Sequence, residues 1–80
     1  MSQETYAAAR LRLWFELKDK GWTISKPLKR LWAEPPGAAY RLWFHPQGVY
    51  FNCHSLFLDI RGLSVEDLLR AAEFRYQQGD

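Results

Sequence analysis

Eighty residues, 48% of them hydrophobic and 25% charged, make a globular rather than a disordered composition and allow one domain with one core. The single cysteine, Cys53, excludes an internal disulfide framework, and a net charge of +2 is too small to argue for nucleic acid by itself. No apolar run approaches the ~20 residues that span a bilayer, and Met1-Ser2-Gln3-Glu4 lacks the character of a signal peptide, so a cytoplasmic protein with no membrane contact is expected.

The first predicted element is a helix over residues 3–20. Ser2 is its expected N-cap, Glu4 sits in the first turn where the helix dipole favours a carboxylate, and Gly21 stops it behind Lys18 and Lys20. At 100° per residue Arg12, Glu16, Asp19 and Lys20 form a narrow polar face, with Arg12–Glu16 and Glu16–Lys20 as i,i+4 pairs. The rest of the circumference is apolar (Tyr6, Ala7, Ala8, Leu11, Leu13, Trp14, Phe15, Leu17), wider than the ~100° stripe one core contact needs. This helix is therefore expected to contact a second layer or a second subunit.

Residues 22–53 read as a strand meander. Trp22-Thr23-Ile24 is a short first strand whose pairing Pro27 limits. Residues 29–34 form a strand, Glu34-Pro35-Pro36-Gly37 a turn, residues 39–45 the clearest strand, and residues 49–53 its return. His45-Pro46-Gln47-Gly48 fits a type I turn with Gly48 left-handed in a bulge, because Pro46 cannot take the positive φ of a type I′ loop. That register puts Arg41, Trp43, Val49 and Phe51 on one face and Tyr40, Leu42, Phe44 and Tyr50 on the other. The unbulged alternative pairs Trp43 with Tyr50 and Leu42 with Phe51. Either way both faces carry large apolar groups, so one packs on helices and the other is covered or binds something.

Residues 54–63 read as a loop or a short strand through Leu56-Phe57-Leu58. Ser64-Val65-Glu66-Asp67 then opens a helix in the manner of a capping box, with Leu63 and Leu68 spaced as a hydrophobic staple. Val65, Leu68, Leu69, Ala72 and Tyr76 line its expected buried face, and the last residues through Asp80 are expected to fray. The fold class is α+β: helix, three-stranded antiparallel meander, helix (αβββα), a single small domain over residues 1–80. That element order resembles a double-stranded-RNA-binding domain. The resemblance implies a lysine cluster opening the second helix, where this chain has Ser64-Val65-Glu66-Asp67, so the family does not fit.

Chemical motifs are sparse. Cys53 and His54 are strand neighbours whose side chains diverge, which disfavours a nucleophile–base pair and makes Cys53 a buried, inert thiol by default. His45, His54 and Asp59 lack metal-ligand spacing, no Gly-rich phosphate loop exists, and Glu66 and Asp67 are explained by the helix start. No catalytic residue, metal or cofactor is expected, and the chain is not read as an enzyme.

What remains is the pairing of large aromatics with guanidinium groups. Arg-Leu-Trp occurs three times, ending at Trp14, Trp32 and Trp43, and four Trp, four Tyr and five Phe exceed what so small a domain readily buries. At least one of Trp32 and Trp43 is expected in the core. The contact set Arg30, Trp32, Arg41, Trp43 and Tyr50 is the expected partner surface of a small interaction module, an adaptor, regulator or inhibitor that binds a protein or self-associates into a homo-oligomer. The alternative is nucleic-acid binding by the basic segment 18–45, with Lys26, Lys29, Arg30 and Arg41 on phosphates; six basic residues face two acids there, whereas the stretch from Ser64 onward carries four acids and two arginines.

Overall fold

The computed structural model describes residues 4–26 and 30–79. Expectations placed on Ser2, Pro27, Lys29 and Asp80 lie outside the described residues. In chain order the elements are α1 (Tyr6–Asp19), β1 (Thr23–Ile24), β2 (Leu31–Glu34), β3 (Leu42–His45), β4 (Gly48–Phe51), β5 (His54–Ser55) and α2 (Val65–Gln77). The strands form one antiparallel sheet in the order β1-β2-β3-β4-β5. The pattern predicts three strands and the sheet has five. The short entry segment Trp22-Thr23-Ile24 pairs as β1, and the other added strand, β5, lies at His54–Ser55 instead of Leu56-Phe57-Leu58, too short at two residues to show any hydrophobic period.

Helix α1 starts one turn later than its sequence suggests. Thr5 is the N-cap, its hydroxyl accepting from the Ala8 N–H at 3.1 Å. Glu4 thus precedes the helix instead of sitting in its first turn. Its carboxylate takes Arg12 Nε at 2.6 Å and Nη2 at 2.9 Å, and the Gly62 N–H at 2.8 Å, tying the chain start to the loop ahead of α2. The Arg12 guanidinium first, and the Gly62 amide second, hold the Glu4 carboxyl down at about 2. The stop is as expected. Gly21, at φ +91, holds the left-handed position, the Gly21 N–H donates to Lys18 O, and the Trp22 N–H reaches back to Leu17 O at 3.0 Å. This Schellman arrangement brings Trp22 onto Leu17, and both are buried. Of the two i,i+4 pairs only Arg12–Glu16 forms; Lys20 instead crosses to Glu66 at 3.4 Å.

Helix α2 follows its local signals. Ser64 Oγ accepts from the Asp67 N–H at 3.1 Å, while the Asp67 carboxylate turns outward to Arg70. Leu68 is fully buried and Leu63 packs against the core, as a hydrophobic staple requires. Tyr76 departs from its expected place on the buried face. It is exposed, with its ring 5.4 Å from that of Tyr40 at the last turn of the helix.

One core joins Ala9, Leu13, Trp14 and Leu17 of α1, the sheet residues Leu31, Ala33, Leu42, Phe44, Val49 and Phe51, and Val65, Leu68 and Ala72 of α2. Both helices therefore lie on the same side of the sheet. The wide apolar arc of α1 is only partly used: it meets sheet and α2, but Leu11 (44%) and Phe15 (51%) stay exposed.

The β3–β4 register corrects the bulged expectation. Leu42 pairs with Phe51, Trp43 with Tyr50, Phe44 with Val49 and His45 with Gly48, leaving a two-residue loop, Pro46-Gln47. No residue of that loop has positive φ, and neither has Gly48. Pro46 is accommodated because its fixed φ suits a turn without left-handed residues. The faces re-sort accordingly. Leu42, Phe44, Val49 and Phe51 face the helices, and Arg41, Trp43, His45 and Tyr50 face away. At β4's far end Asn52 (φ 53) turns the chain left-handed, so the strand ends before Cys53, which is exposed rather than buried.

Candidate functional site

The sheet face opposite the helices carries a cross-strand row: Trp32 on β2, Trp43 on β3 and Tyr50 on β4, paired in register. All three are half-buried and none belongs to the core. The expectation that Trp32 or Trp43 would be core is thus corrected; Trp14 and Trp22 fill that role from α1 and its C-terminal cap.

The row rests on backbone that the core side pins. Trp32 gives its N–H to Ser25 Oγ at 3.0 Å, and its carbonyl accepts from the Ser25 N–H at 3.0 Å and from Trp14 Nε1 at 3.1 Å. Ser25 is the buried polar residue that makes this possible. Arg41 is pinned from the other side: its N–H donates to Asn52 Oδ1 at 3.0 Å and its carbonyl accepts the Asn52 N–H at 2.8 Å. From that fixed base the Arg41 guanidinium lies 4.0 Å over the Trp32 ring and 5.1 Å from the Trp43 ring. Its Nε and Nη2 both reach Glu34 Oε2, at 2.8 and 2.7 Å. Both indoles thus share one cation, and that cation is neutralised by a carboxylate two residues beyond Trp32 on the same strand face.

Toward the β3–β4 turn the row continues into His45, whose ring meets Tyr50 edge-on at 4.8 Å. Arg30 is exposed just ahead of β2. The structure therefore brings Trp32, Arg41, Trp43 and Tyr50 together, with Arg30 at the turn end of the same face. The expected phosphate contacts do not share one environment. Lys26 is exposed beyond β1, Arg41 is held by Glu34, Arg30 lies toward the other end of the sheet, and Lys29 is outside the described residues.

Sequence reasoning passed over Arg10. From α1 its Nε and Nη2 donate to Phe44 O at 3.2 and 2.9 Å, placing its guanidinium beside the β3–β4 turn, where a cleft of about 220 Å³ opens between Arg10, Arg30, Trp43 and His45. Helical periodicity cannot report a contact made 34 residues away in sequence.

A second, larger concavity of about 620 Å³ lies between residues 53–57 and the Ala71, Phe74 and Arg75 side of α2. At its rim Phe57 is 91% exposed and holds φ 53, a conformation costly for a residue with a Cβ.

Titration chemistry lies elsewhere. Asp59 is held at about 2 by its hydrogen bonds from Arg61, and Glu4 by those from Arg12 and Gly62, so both depressed carboxylates are accounted for by ion pairs. His45, His54 and Asp59 do not meet, and no cluster of three or more metal-ligating side chains occurs among the described residues. No helix among them is long and apolar enough to cross a membrane. No protein-family model, curated protein or solved structure matches this chain.

Proposed function

We propose that this chain is a small non-enzymatic interaction module whose working surface is the outer sheet face, with Trp32, Trp43 and Tyr50 as anchors and Arg30 and Arg41 at its two ends. The observation that carries the reading is one-sidedness. Both helices cover one face of the sheet, and the other presents a three-strand aromatic row with no helix or strand over it among the described residues. Tryptophan, tyrosine and arginine are the residues that dominate the centres of protein interfaces. The row is also pre-organised by the Ser25, Trp14 and Asn52 hydrogen bonds, which lowers the ordering cost of association. The partner is a protein, a second copy of this chain included.

A photo-crosslinking residue at position 50, compared with one at the exposed Arg70 on α2, tests the reading alongside sedimentation over a wide concentration range. Adducts, or a dimer, formed through position 50 and not through position 70 are expected. A monomer at every concentration, with equal or no crosslinking from the two positions, refutes it. Nucleic-acid binding is the competing reading. It predicts a complex with oligonucleotide that weakens steeply as salt rises; the Arg41–Glu34 pair weighs against it by neutralising one of its four proposed phosphate contacts.

A further inference from the structure

We propose that the cleft beside the β3–β4 turn is an oxyanion site, taking a phosphate or carboxylate group whose carrier lies against Trp43. The first ground is charge that has no partner. Arg12, Arg41, Arg61 and Arg70 each sit against a carboxylate. Arg10 and Arg30 make no ion pair among the described residues, and both border this one cleft, which His45 and Trp43 also line. A guanidinium stays charged at any physiological pH, so a partly buried one without a counter-charge gains from any anion that reaches it.

The second ground is fixed geometry. Arg10 spends Nε and Nη2 on the Phe44 carbonyl, at 3.2 and 2.9 Å. That anchor orients the guanidinium plane, and Nη1 has no partner among the described residues. Arg30 makes no side-chain hydrogen bond among them and is free to swing over the opening. Arg10 keeps Nη1 and the second Nη2 hydrogen to donate and Arg30 its whole fork, which together suit an acceptor with two or more oxygens.

The third ground is size. At about 220 Å³ the cleft falls below the ~300–1,000 Å³ of sites that enclose whole small-molecule ligands. It therefore holds one charged group, and the rest of the ligand extends along Trp43 onto the outer face. A flat or apolar carrier is favoured there over a sugar or a bare ion, since the wall it meets is an indole.

This site shares Arg30 and Trp43 with the proposed protein interface, but small anions read it on the chain alone, with no protein partner present. Loss of every partner on the outer face would leave the anion titration unchanged. The test is an NMR titration of the intact chain with inorganic phosphate, acetate, phenyl phosphate and benzoate, against sodium chloride at matched ionic strength. Saturable shifts are expected at the Arg10 and Arg30 Nε–H, the Trp43 indole N–H and the amides of residues 44–46, with the aromatic ligands binding more tightly than their bare ions. Phosphate active and acetate silent assigns a phosphate group; the reverse assigns a carboxylate. Arg30→Gln breaks no bond of the fold and should weaken binding about tenfold, the value of one charge-assisted hydrogen bond. Arg70→Gln changes net charge equally at a distant exposed site and should leave binding intact. Shifts that chloride reproduces, shifts that never saturate, or equal weakening by the two variants would overturn the proposal.

Discussion

Arg41 is the residue whose removal reports most directly on the outer face. Arg41→Ala deletes an ion pair to Glu34, with contacts of 2.7 and 2.8 Å, and two cation–π contacts at 4.0 and 5.1 Å. The two charged side chains keep 34% and 21% of their surface in water, so solvent screening limits the pair to about 0.5–1 kcal/mol. Stacking on Trp32 adds about 0.5–1 kcal/mol and the longer contact to Trp43 about 0.5 kcal/mol. The total is about 2 kcal/mol, which in a domain of this size lowers the melting temperature by about 8–16 °C. Urea unfolding of Arg41→Ala, Glu34→Gln and the double variant separates the contributions. The coupling between the two sites should equal the ion pair, about 0.5–1 kcal/mol. Arg41→Lys retains the charge but loses the planar fork and the stacking, so it should still cost about 1 kcal/mol. If Arg41→Ala unfolds within about 0.5 kcal/mol of the parent, within the range of an ordinary surface substitution, the guanidinium does not bind the two indoles and the face is not pre-organised.

Three further outcomes follow from other parts of the molecule. Glu4, held at about 2 against an ordinary 4.5, contributes stability that is present above 4.5 and lost as pH falls toward 2. Glu4→Gln should therefore melt below the parent near neutrality, and circular-dichroism melts should show the gap closing by pH 2, with the residual acid sensitivity coming from Asp59; parallel curves would show that the Arg12 pair does not hold. The Tyr6 hydroxyl is buried without a hydrogen-bond partner among the described residues, and burial pushes its phenol pKa up. Tyr6→Phe should therefore raise the unfolding free energy by about 1 kcal/mol, and a loss instead would reveal an acceptor for that hydroxyl. Phe57→Gly should be neutral or stabilising by up to about 1.5 kcal/mol, relief of ~1–2 kcal/mol of left-handed strain being offset by ~0.4–1 kcal/mol of added freedom in the unfolded chain; a clear fall in the melting temperature would mean that the exposed ring makes a contact that matters to the fold.

The end of α1 and the start of α2 were legible because their chemistry is local, whereas the start of α1 was placed one turn too early, Thr5 and not Ser2 capping it. Gly21 marks a position that only a residue without Cβ takes cheaply, and Ser64 with Leu63 and Leu68 encodes the start of α2 within six residues. Register was not legible from the hairpin itself. Leu42-Trp43-Phe44 is apolar throughout, so its pattern fits either face, and Pro46 suits a turn with or without a bulge. The missing information lay one strand earlier. Along β2 and the residue ahead of it, Arg30, Trp32 and Glu34 alternate with Leu31 and Ala33, so charge on both sides of Trp32 marks its face as the outer one. Pairing Trp32 with Trp43 then fixes Tyr50 beside them. The aromatic row was therefore readable, given the right strand to start from. The role of Arg10 was not, because it depends on where a helix crosses the sheet.

Trp43 joins the two halves of the outer face. Toward the start of β3 it shares Arg41 with Trp32, and Glu34 cancels that charge. Toward the β3–β4 turn it borders the cleft of Arg10 and Arg30, whose charges nothing among the described residues cancels. The face is thus neutral at one end and cationic at the other, with one continuous aromatic row between. A partner gains burial anywhere along the row but gains electrostatic energy only with an acidic group at the turn end. Its orientation would be set there, while most of the contact area comes from the indoles and Tyr50. Arg30→Gln should accordingly slow the association of an oriented partner and flatten its salt dependence, whereas Trp43→Ala should speed its dissociation. Two variants on one strand face that changed the same rate constant would mean that the cleft and the row belong to a single undivided contact.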